Sequence, residues 1–430
     1  MGPTASGARR GAGAAAEAIA RALVDDFDWR TYEFASAPGA AHPRALRFLL
    51  AAGLRLGTPH AAKAAVLGLD ALVNSEAYDS VDGGFFVACD GPGWKDPQTG
   101  KPLALNAELV VALSLAAVET GREGFARAAR ETVGWFDRAL SRADDDLWAP
   151  GLAADPEYYA LLAHGRARRG APAAVEGMES RASALAVSAL AAAGAAGEDR
   201  ALAARGRLAL QSLLDQACGP RGEVSAGVEA GQWAGGESRP ARVALVAAGL
   251  DTWCVTGDRT LPPRLESLAA PLAGRAGQEA PAEAGAAGEE AAVLLRCALL
   301  LADLGLEAAA AARADPLVAP AAPPSAGSPA AMPPSAAGAL GLAQLALARG
   351  VIAVEGVAGS ALAAAAYMRC APFGATVVLD TARADRDENV VVVTAGDEPP
   401  RSARRRAELG GLVAAWRAAA PAGAAGGRAR

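Results

Sequence analysis

The sequence predicts a mainly α fold in which helical hairpins close into a ring, an (α/α) toroid, followed by a small C-terminal α/β unit. Hydrophobic residues make up 52% of the chain and aromatic residues only 5%. Most apolar side chains are therefore Ala, Leu and Val, which favours closely packed helices over a β-sandwich. Apolar residues recur at helical spacing in segments joined by short Gly/Pro turns. These short turns alternate with long loops rich in Gly and aromatic residues, which favours a ring over an open solenoid.

The predicted helices come in pairs along most of the chain. They span about residues 13–26, 42–56, 60–75, 102–121, 124–140, 180–196, 199–216, 240–256, 262–273 and 286–313. The long loops between them cover residues 76–101, 144–179 and 218–239. Because a toroid gathers such loops on one face, we expect them to build a pocket.

The C-terminal part has a different pattern. Residues 314–336 are rich in Pro, Ala and Ser and predict a linker. Short β-branched runs at 350–356, 375–381 and 389–396, with a helix at 358–370, predict a small α/β unit. The expected organisation is a disordered lead-in (1–12), a toroid (13–313), the linker (314–336), a C-terminal α/β unit (337–419) and a disordered tail (420–430).

Composition argues against several classes of function. The net charge is −6 and the basic residues are scattered, so we expect no nucleic-acid binding. The arginine-rich stretch 401–406 is interpreted as a solvated helix start rather than a site for an acidic partner. The five cysteines form no Cys-x-x-Cys pair, so we expect no metal site, no redox site and a reducing, cytoplasmic location. We also predict no secretory signal, no membrane span and no cofactor.

The first long loop contains the stretch VDGGFFVACDGPGWKDPQTGK, residues 81–101. Gly83-Gly84 permits a tight hairpin. Alternation along an extended strand would then point one of Phe85 and Phe86 inward and the other outward. Aromatic side chains such as these and Trp94 either stack on sugar rings or fill the pocket, and the stretch alone does not decide between the two.

This loop resembles the spermatogenesis-associated, thioredoxin-domain-containing proteins and their bacterial relatives. Their pattern runs Gly-Gly-Phe, then Trp-x-x-Pro-His-Phe-Glu-Lys, then Asn-Ala five residues after that Lys. This chain has Gly83-Gly84-Phe85, then WKDPQTGK at residues 94–101, then Asn106-Ala107, without a gap. A second run, Asp-Pro-Glu-Tyr-Tyr-Ala-Leu at 155–161, is also similar to the family. The similarity spans about residues 15–400 and is specific at 79–115 and 153–172.

The resemblance implies an (α/α)6 toroid of the six-hairpin glycosidase type, and it implies which residues face the pocket. The family's thioredoxin-like domain has no counterpart in this sequence. The ligand-binding candidates that follow are Phe85, Phe86, Trp94, Gln98, Lys101, Asn106, Tyr158 and Tyr159.

The sequence also departs from the family pattern at ionisable positions. Gln98 and Gly100 stand where the family has His and Glu. Of the family's Gln-Asp-Ala-Asp run only the last acid remains, as Asp155, and Ser183 stands at an expected Asn. The resemblance therefore implies a pocket that has lost proton-handling groups.

Sugar hydrolysis and sugar epimerisation need different groups in the pocket. Hydrolysis needs two facing carboxyl groups, for which Glu108, Asp155, Glu157 and Glu179 are candidates. Epimerisation in related toroids uses histidines. His42 and His60 lie at predicted helix starts, where capping or surface placement is the simpler interpretation, and His164 lies in a polar loop. The catalytic candidates are Lys101, Asp155 and Glu157.

The favoured hypothesis is a degenerate, non-catalytic toroid that binds a small polar ligand, such as a carbohydrate, or a protein partner. One alternative is an active glycosidase- or epimerase-type enzyme that uses Asp155 or Glu157. Another is an interaction module for a separately encoded thioredoxin-like protein.

Overall fold

A computed structural model describes residues 5–58, 60–142, 146–274, 284–300, 332–380, 390–395 and 399–419. Its helices are α1 Ala5–Asp25, α2 Pro43–Arg55, α3 Ala61–Val73, α4 Leu103–Thr120, α5 Glu123–Trp135, α6 Pro156–Tyr159, α7 Ala163–Arg169, α8 Ser180–Ala196, α9 Arg200–Ala217, α10 Arg239–Thr256, α11 Leu261–Gly274, α12 Ala284–Leu300, α13 Pro334–Arg349, α14 Ala361–Cys370 and α15 Arg406–Ala419. Its strands are β1 Phe27–Asp28, β2 Glu33–Phe34, β3 Ala88–Gly91, β4 Lys95–Gln98, β5 Lys101–Pro102, β6 Gly151–Leu152, β7 Met178–Glu179, β8 Ser225–Glu229, β9 Gln232–Glu237, β10 Ile352–Gly356, β11 Thr376–Asp380, β12 Val391–Ala395 and β13 Arg401–Ala403.

Most predicted helices are present with ends close to the expected positions, and α8 spans the predicted 180–196. Local capping explains several of these ends. Asp199 and Ser238 accept backbone N–H groups in the first turns of α9 and α10. Gly121 and Gly257 end α4 and α10 in the left-handed conformation, with φ of 68° and 67°.

Three expectations outside these helices need correction. The lead-in 1–12 was expected to be disordered, but α1 begins at Ala5 because its Ala and Arg residues favour helix and its buried Ala face packs on α13. Helix α13, which begins at Pro334 where the predicted linker ends, was not predicted; it packs on α1 and α12. The loop 144–179 contains the short helices α6 and α7. Residues 301–331, which include most of the predicted linker, and the tail 420–430 lie outside the described residues.

The chain divides into two compact units, of which the first comprises Met1–Phe27, Arg44–Leu67 and Ala269–Arg430. In this unit α13 lies between α1 and α12, and it approaches α2 closely. A Cβ on Gly338 would lie 2.4 Å from the backbone nitrogen of Ala45, so only glycine fits there. The four-stranded sheet has the order β11-β10-β12-β13, with β10 and β11 parallel and α14 between them in the chain. This confirms the predicted strand–helix–strand pattern.

The second unit comprises Asp28–Pro43 and Gly68–Leu268. Helices α4, α8 and α10 pack side by side, with α5 against α4 and α9 against α8. The three central helices are buried on nearly all sides, which agrees with their almost continuous apolar sequence. Strands β5, β7 and β9 lead directly into α4, α8 and α10. The strand-bearing loops therefore lie at the N-terminal ends of the central helices.

Among the described residues, α4 is the one helix with the length and apolar character needed to cross a membrane. More than half of its residues are buried inside the protein against α5 and α8, as in a core helix.

Candidate ligand-binding site

An open cavity of about 740 Å³ lies beside the first long loop of the second unit. Three segments of this unit contribute to its wall: residues 74–81, the β3–β4 hairpin, and the region of α6 and α7. Its aromatic and charged lining includes Tyr78, Asp79, Phe86, Trp94, Tyr159 and Arg166. Two of the long loops predicted to form a pocket thus do so.

The Gly83-Gly84 turn brings the chain against α5. Both residues have positive φ, 85° and 84°. A Cβ on Gly83 would lie 2.7 Å from the Glu131 carbonyl oxygen, and one on Gly84 would lie 3.0 Å from the Trp135 ring. The tight turn predicted from the two glycines is therefore present, and close packing as well as backbone conformation requires them.

Asn106 holds the segment that follows this turn. Its Oδ1 accepts the Phe85 N–H at 2.6 Å, and its Nδ2 donates to the carbonyl oxygens of Phe85 and Pro102 at 2.9 Å each. The side chain is fully buried and does not line the cavity. Asn106 thus acts on the backbone of the loop rather than on a ligand.

Both Phe85 and Phe86 are buried, so the expectation of one inward and one outward ring is wrong. Phe85 packs on the ring of Tyr78, with centroids 4.8 Å apart. Phe86 meets the edge of Tyr159 at 4.9 Å and lies 5.0 Å from the Lys101 ammonium. The loop that carries Tyr159 covers Phe86, so neither phenylalanine ring faces solvent.

A buried ion network forms part of the cavity wall. The Lys101 ammonium donates to Asp79 Oδ2 at 2.5 Å and to the Gly83 carbonyl at 2.9 Å. Arg166 Nη1 donates to both Asp79 oxygens and to Asp82 Oδ2, each at 2.8 Å. Two cations therefore face two carboxylates, and both oxygens of Asp79 are occupied.

Aromatic rings surround the cations of this network. The Lys101 ammonium lies 4.7 Å from the Tyr159 centroid and 5.4 Å from that of Trp135, and its side chain is fully buried. The Arg166 guanidinium lies 5.2 Å from the ring of Tyr158, whose hydroxyl donates to Asp82 at 3.0 Å. These contacts hold both cations in place.

The protonation states follow from this packing. Burial raises the pKa of Asp79, but Lys101 and Arg166 outweigh that effect and hold it below its usual value. Burial lowers the pKa of Lys101 to about 8, although Asp79 opposes the change. Burial and the bond to Asp82 raise the pKa of Tyr158 to about 12. At neutral pH Asp79 is thus an ionised carboxylate and Tyr158 a neutral phenol.

Three polar side-chain atoms in the cavity wall have no hydrogen-bond partner among the described residues. They are Trp94 Nε1, Thr99 Oγ1 and the Tyr159 hydroxyl oxygen, and each is shielded from solvent. A buried polar group without a partner costs about 1–3 kcal/mol. A ligand that reaches these atoms in the cavity wall would gain the hydrogen bonds that they lack.

The other predicted site residues do not line this cavity. Gln98 is exposed and donates to Asp90 at 2.7 Å. Asp155 accepts the backbone N–H of Tyr158 at the start of α6, and both Asp155 and Glu157 pair with Arg169 at the surface.

The remaining acids and the histidines do not form a catalytic group either. Glu108 is largely buried and lies 3.5 Å from Arg181, and Glu179 is exposed on β7. His42 lies directly before α2, at the predicted helix start, and is buried edge-on to Phe34, whereas His164 is exposed on α7. Neither histidine lines the cavity. No cluster of metal-binding side chains occurs in the part of the chain that the structure describes.

Sequence reasoning missed Asp79, Asp82 and Arg166, which form the charged part of the site. The two acids directly precede the Gly-Gly turn, a spacing that could have marked them as part of the motif. Arg166 gave no such signal, because it is one of many arginines and lies far from the acids in sequence.

Comparison with solved structures identifies the fold. A sugar epimerase from a ruminal bacterium superposes with a TM-score of 0.57 at 14% identity, covering 70% of this chain and 83% of the epimerase. Cellobiose 2-epimerase from Spirochaeta thermophila gives 0.55 at 14% identity, with 68% and 79% covered. A D-mannose isomerase gives 0.56 at 13% identity, with 71% and 84% covered.

These similarities show that the chain has the (α/α)6 toroid fold of the six-hairpin glycosidase type, as the sequence predicted, with a small C-terminal α/β portion. At this level of identity they establish the fold alone. The sequence matches no protein-family description and no curated protein.

Proposed function

We propose that the cavity binds a small polar ligand of the carbohydrate class and does not convert it chemically. The observation that carries this proposal is the set of unpaired polar atoms on Trp94, Thr99 and Tyr159 beside aromatic rings in one open cavity. A sugar suits such a wall, because its C–H faces pack on aromatic rings while its hydroxyl groups hydrogen-bond to fixed polar atoms. The sugar epimerases and the mannose isomerase with the same fold support this ligand class.

The absence of turnover is proposed from the state of the ionisable groups. A general acid or base must exchange a proton with the ligand, and this works best when its pKa is near the working pH. Asp79 has both oxygens bound to cations and a lowered pKa, and the Lys101 ammonium is enclosed by protein. Removal of a positioned acid or base typically lowers a rate by about 10²–10⁴-fold. Replacement of the family His and Glu by Gln98 and Gly100 agrees with such a loss.

The alternative of an enzyme that uses Asp155 or Glu157 gains no support. Both carboxylates pair with Arg169 at the surface, and neither belongs to the cavity wall. We therefore do not assign them a catalytic role.

We also propose that the chain derives from the spermatogenesis-associated, thioredoxin-domain-containing family. Support comes from residues of the shared motif, which lie together in one site. Lys101 donates to the Gly83 carbonyl oxygen, and Asn106 accepts the Phe85 N–H directly after the Gly83-Gly84 turn. Trp94 lies in the adjoining cavity wall. Association with a separate thioredoxin-like protein stays a prediction.

A binding titration with a matched pair of variants tests the proposed function. Thr99 and Thr132 each carry a buried, unpaired hydroxyl, but only Thr99 lines the cavity. Replacement of either by Val keeps the shape and removes the hydroxyl, so both changes have similar effects on folding. Titration calorimetry with a panel of mono- and disaccharides is expected to detect binding to the unaltered protein. Thr99→Val is expected to weaken this binding by about tenfold, which corresponds to the loss of roughly one hydrogen bond. Thr132→Val leaves the affinity unchanged. Absence of binding to the unaltered protein, or equal effects of the two variants, would overturn the proposal.

A further inference from the structure

Another buried carboxylate, Glu33 on β2, lies outside the ion network and accepts hydrogen bonds from backbone amides. Glu33 is only 3% exposed. Oε2 accepts the Gly39 N–H at 3.1 Å, and Oε1 accepts the N–H groups of Gly93 and Trp94 at 2.5 and 3.2 Å. One carboxylate thus joins the segment after β2 to the turn between β3 and β4.

The turn that Glu33 holds has an unfavourable backbone conformation. Gly93 has φ of 75°, and Trp94 and Asp96, which are not glycines, have φ of 63° and 56°. Side chains with a Cβ rarely adopt such angles unless the surroundings impose them. In such a turn, successive backbone N–H groups point toward one position and form a small anion-binding nest, as those of Gly93 and Trp94 do. The Glu33 carboxylate occupies that nest.

The same turn sets the direction of the Trp94 indole. Trp94 is 4% exposed, it lines the cavity, and its Nε1 has no partner among the described residues. The backbone angles at Trp94 fix where its Cβ points, so the bond from Glu33 fixes the direction from which the buried indole extends. We propose that Glu33 is a positioning residue for the cavity, which holds the Trp94 indole in its place in the cavity wall. This inference rests on the proposed function, because it concerns the same cavity.

The test uses Glu33→Gln, alone and combined with Trp94→Phe. A glutamine places an NH2 group where the carboxylate accepts, so a donor then faces one of the backbone N–H donors. We expect the indole ¹H–¹⁵N resonance of Trp94, identified by its loss in Trp94→Phe, to shift in Glu33→Gln without any ligand. Affinity for the sugar that binds best falls by about tenfold or more, which corresponds to about 1.4 kcal/mol.

A double-mutant comparison separates positioning from a general structural role. If Glu33 acts through Trp94, then Glu33→Gln in the Trp94→Phe background changes affinity by less than about twofold. The matched control is Glu237→Gln, which removes a carboxylate that bonds the Val224 N–H and Arg242 away from the cavity. That variant is expected to lower the melting temperature while leaving affinity and the Trp94 resonance unchanged.

The outcomes are distinct. An unchanged Trp94 resonance in folded Glu33→Gln, or an equal loss of affinity with and without Trp94, would overturn the positioning role. If no sugar binds the unaltered protein, the proposed function fails, yet the resonance still decides whether Glu33 positions Trp94.

If Glu33→Gln does not fold, Gly93→Ala replaces it: no atom lies within 4 Å of the added Cβ, so only the backbone at φ of 75° is strained. The same shift of the Trp94 resonance is then expected, and an unchanged resonance refutes the proposal.

Discussion

Arg166 donates from one guanidinium nitrogen to both carboxylate oxygens of Asp79, at 2.8 Å each, although 87 residues separate the two in the chain. Asp79 belongs to the first long loop and Arg166 to the second. Their ion pair therefore joins the two loops that build the cavity wall. Together with Lys101, which donates to Asp79 Oδ2, this pair fixes the wall and leaves the carboxylate no free oxygen.

Replacement of Asp79 by Asn is expected to destabilise the protein strongly. The change leaves the buried cations of Lys101 and Arg166 with one carboxylate fewer, and removal of one partner from a buried ion pair typically costs about 3–5 kcal/mol. Urea denaturation measures the change in the free energy of unfolding. The control Asp155→Asn alters an exposed pair with Arg169 and is expected to cost less than about 1 kcal/mol. Similar costs for the two variants would contradict the assigned importance of the buried network.

The stability contributed by Lys101 is expected to rise with pH in the alkaline range. Its pKa is about 8 in the folded protein, below the usual 10.5, chiefly because of burial. Between these two values the unfolded chain binds more protons than the folded one, so the free energy of unfolding increases as pH rises. The contribution is absent below pH 8 and complete above pH 10.5.

Comparison with Lys101→Met isolates this contribution, because the remaining groups titrate in both proteins. The free energy of unfolding of the unaltered protein minus that of Lys101→Met is expected to increase between pH 8 and pH 10.5. Denaturation at a series of pH values measures this difference. A difference that is constant or shrinks would show that burial does not dominate at Lys101.

Gly84→Ala is expected to destabilise the protein more than Gly121→Ala does. Both positions have positive φ, so each substitution costs backbone strain of about 1–2 kcal/mol. Only at Gly84 does the added Cβ also meet a ring, that of Trp135 at 3.0 Å, whereas Gly121 has open space around it. The difference between the two melting temperatures therefore measures the packing of the turn on α5. Equal melting temperatures would mean that the turn can move away from Trp135.

Local sequence pattern was enough to predict most helices but not the contacts that make the site. Helix α8 follows from its apolar run and from the turn residues beyond it, which act within a few residues of the chain. Helix α13 was missed because the Pro-rich stretch before it obscured its start, and its burial depends on α1 and α12.

The site shows the same division. The Gly83-Gly84 turn was predictable, since two adjacent glycines carry a local conformational signal. Burial of Phe86 and the capture of Asp79 by Arg166 were not, because both depend on a loop that is distant in sequence. Pattern alone left Asp155 as a pocket acid, whereas its pairing with Arg169 holds it at the surface.

The central claim, binding without conversion, is tested most directly by one NMR experiment in which concentrated protein is incubated with single sugars from the panel. Saturation transfer from protein to sugar reports binding, and the sugar spectrum over time reports any product. The account predicts saturation transfer that Thr99→Val weakens, with no new sugar resonance. A new resonance that forms with the unaltered protein and not with Lys101→Ala would contradict it.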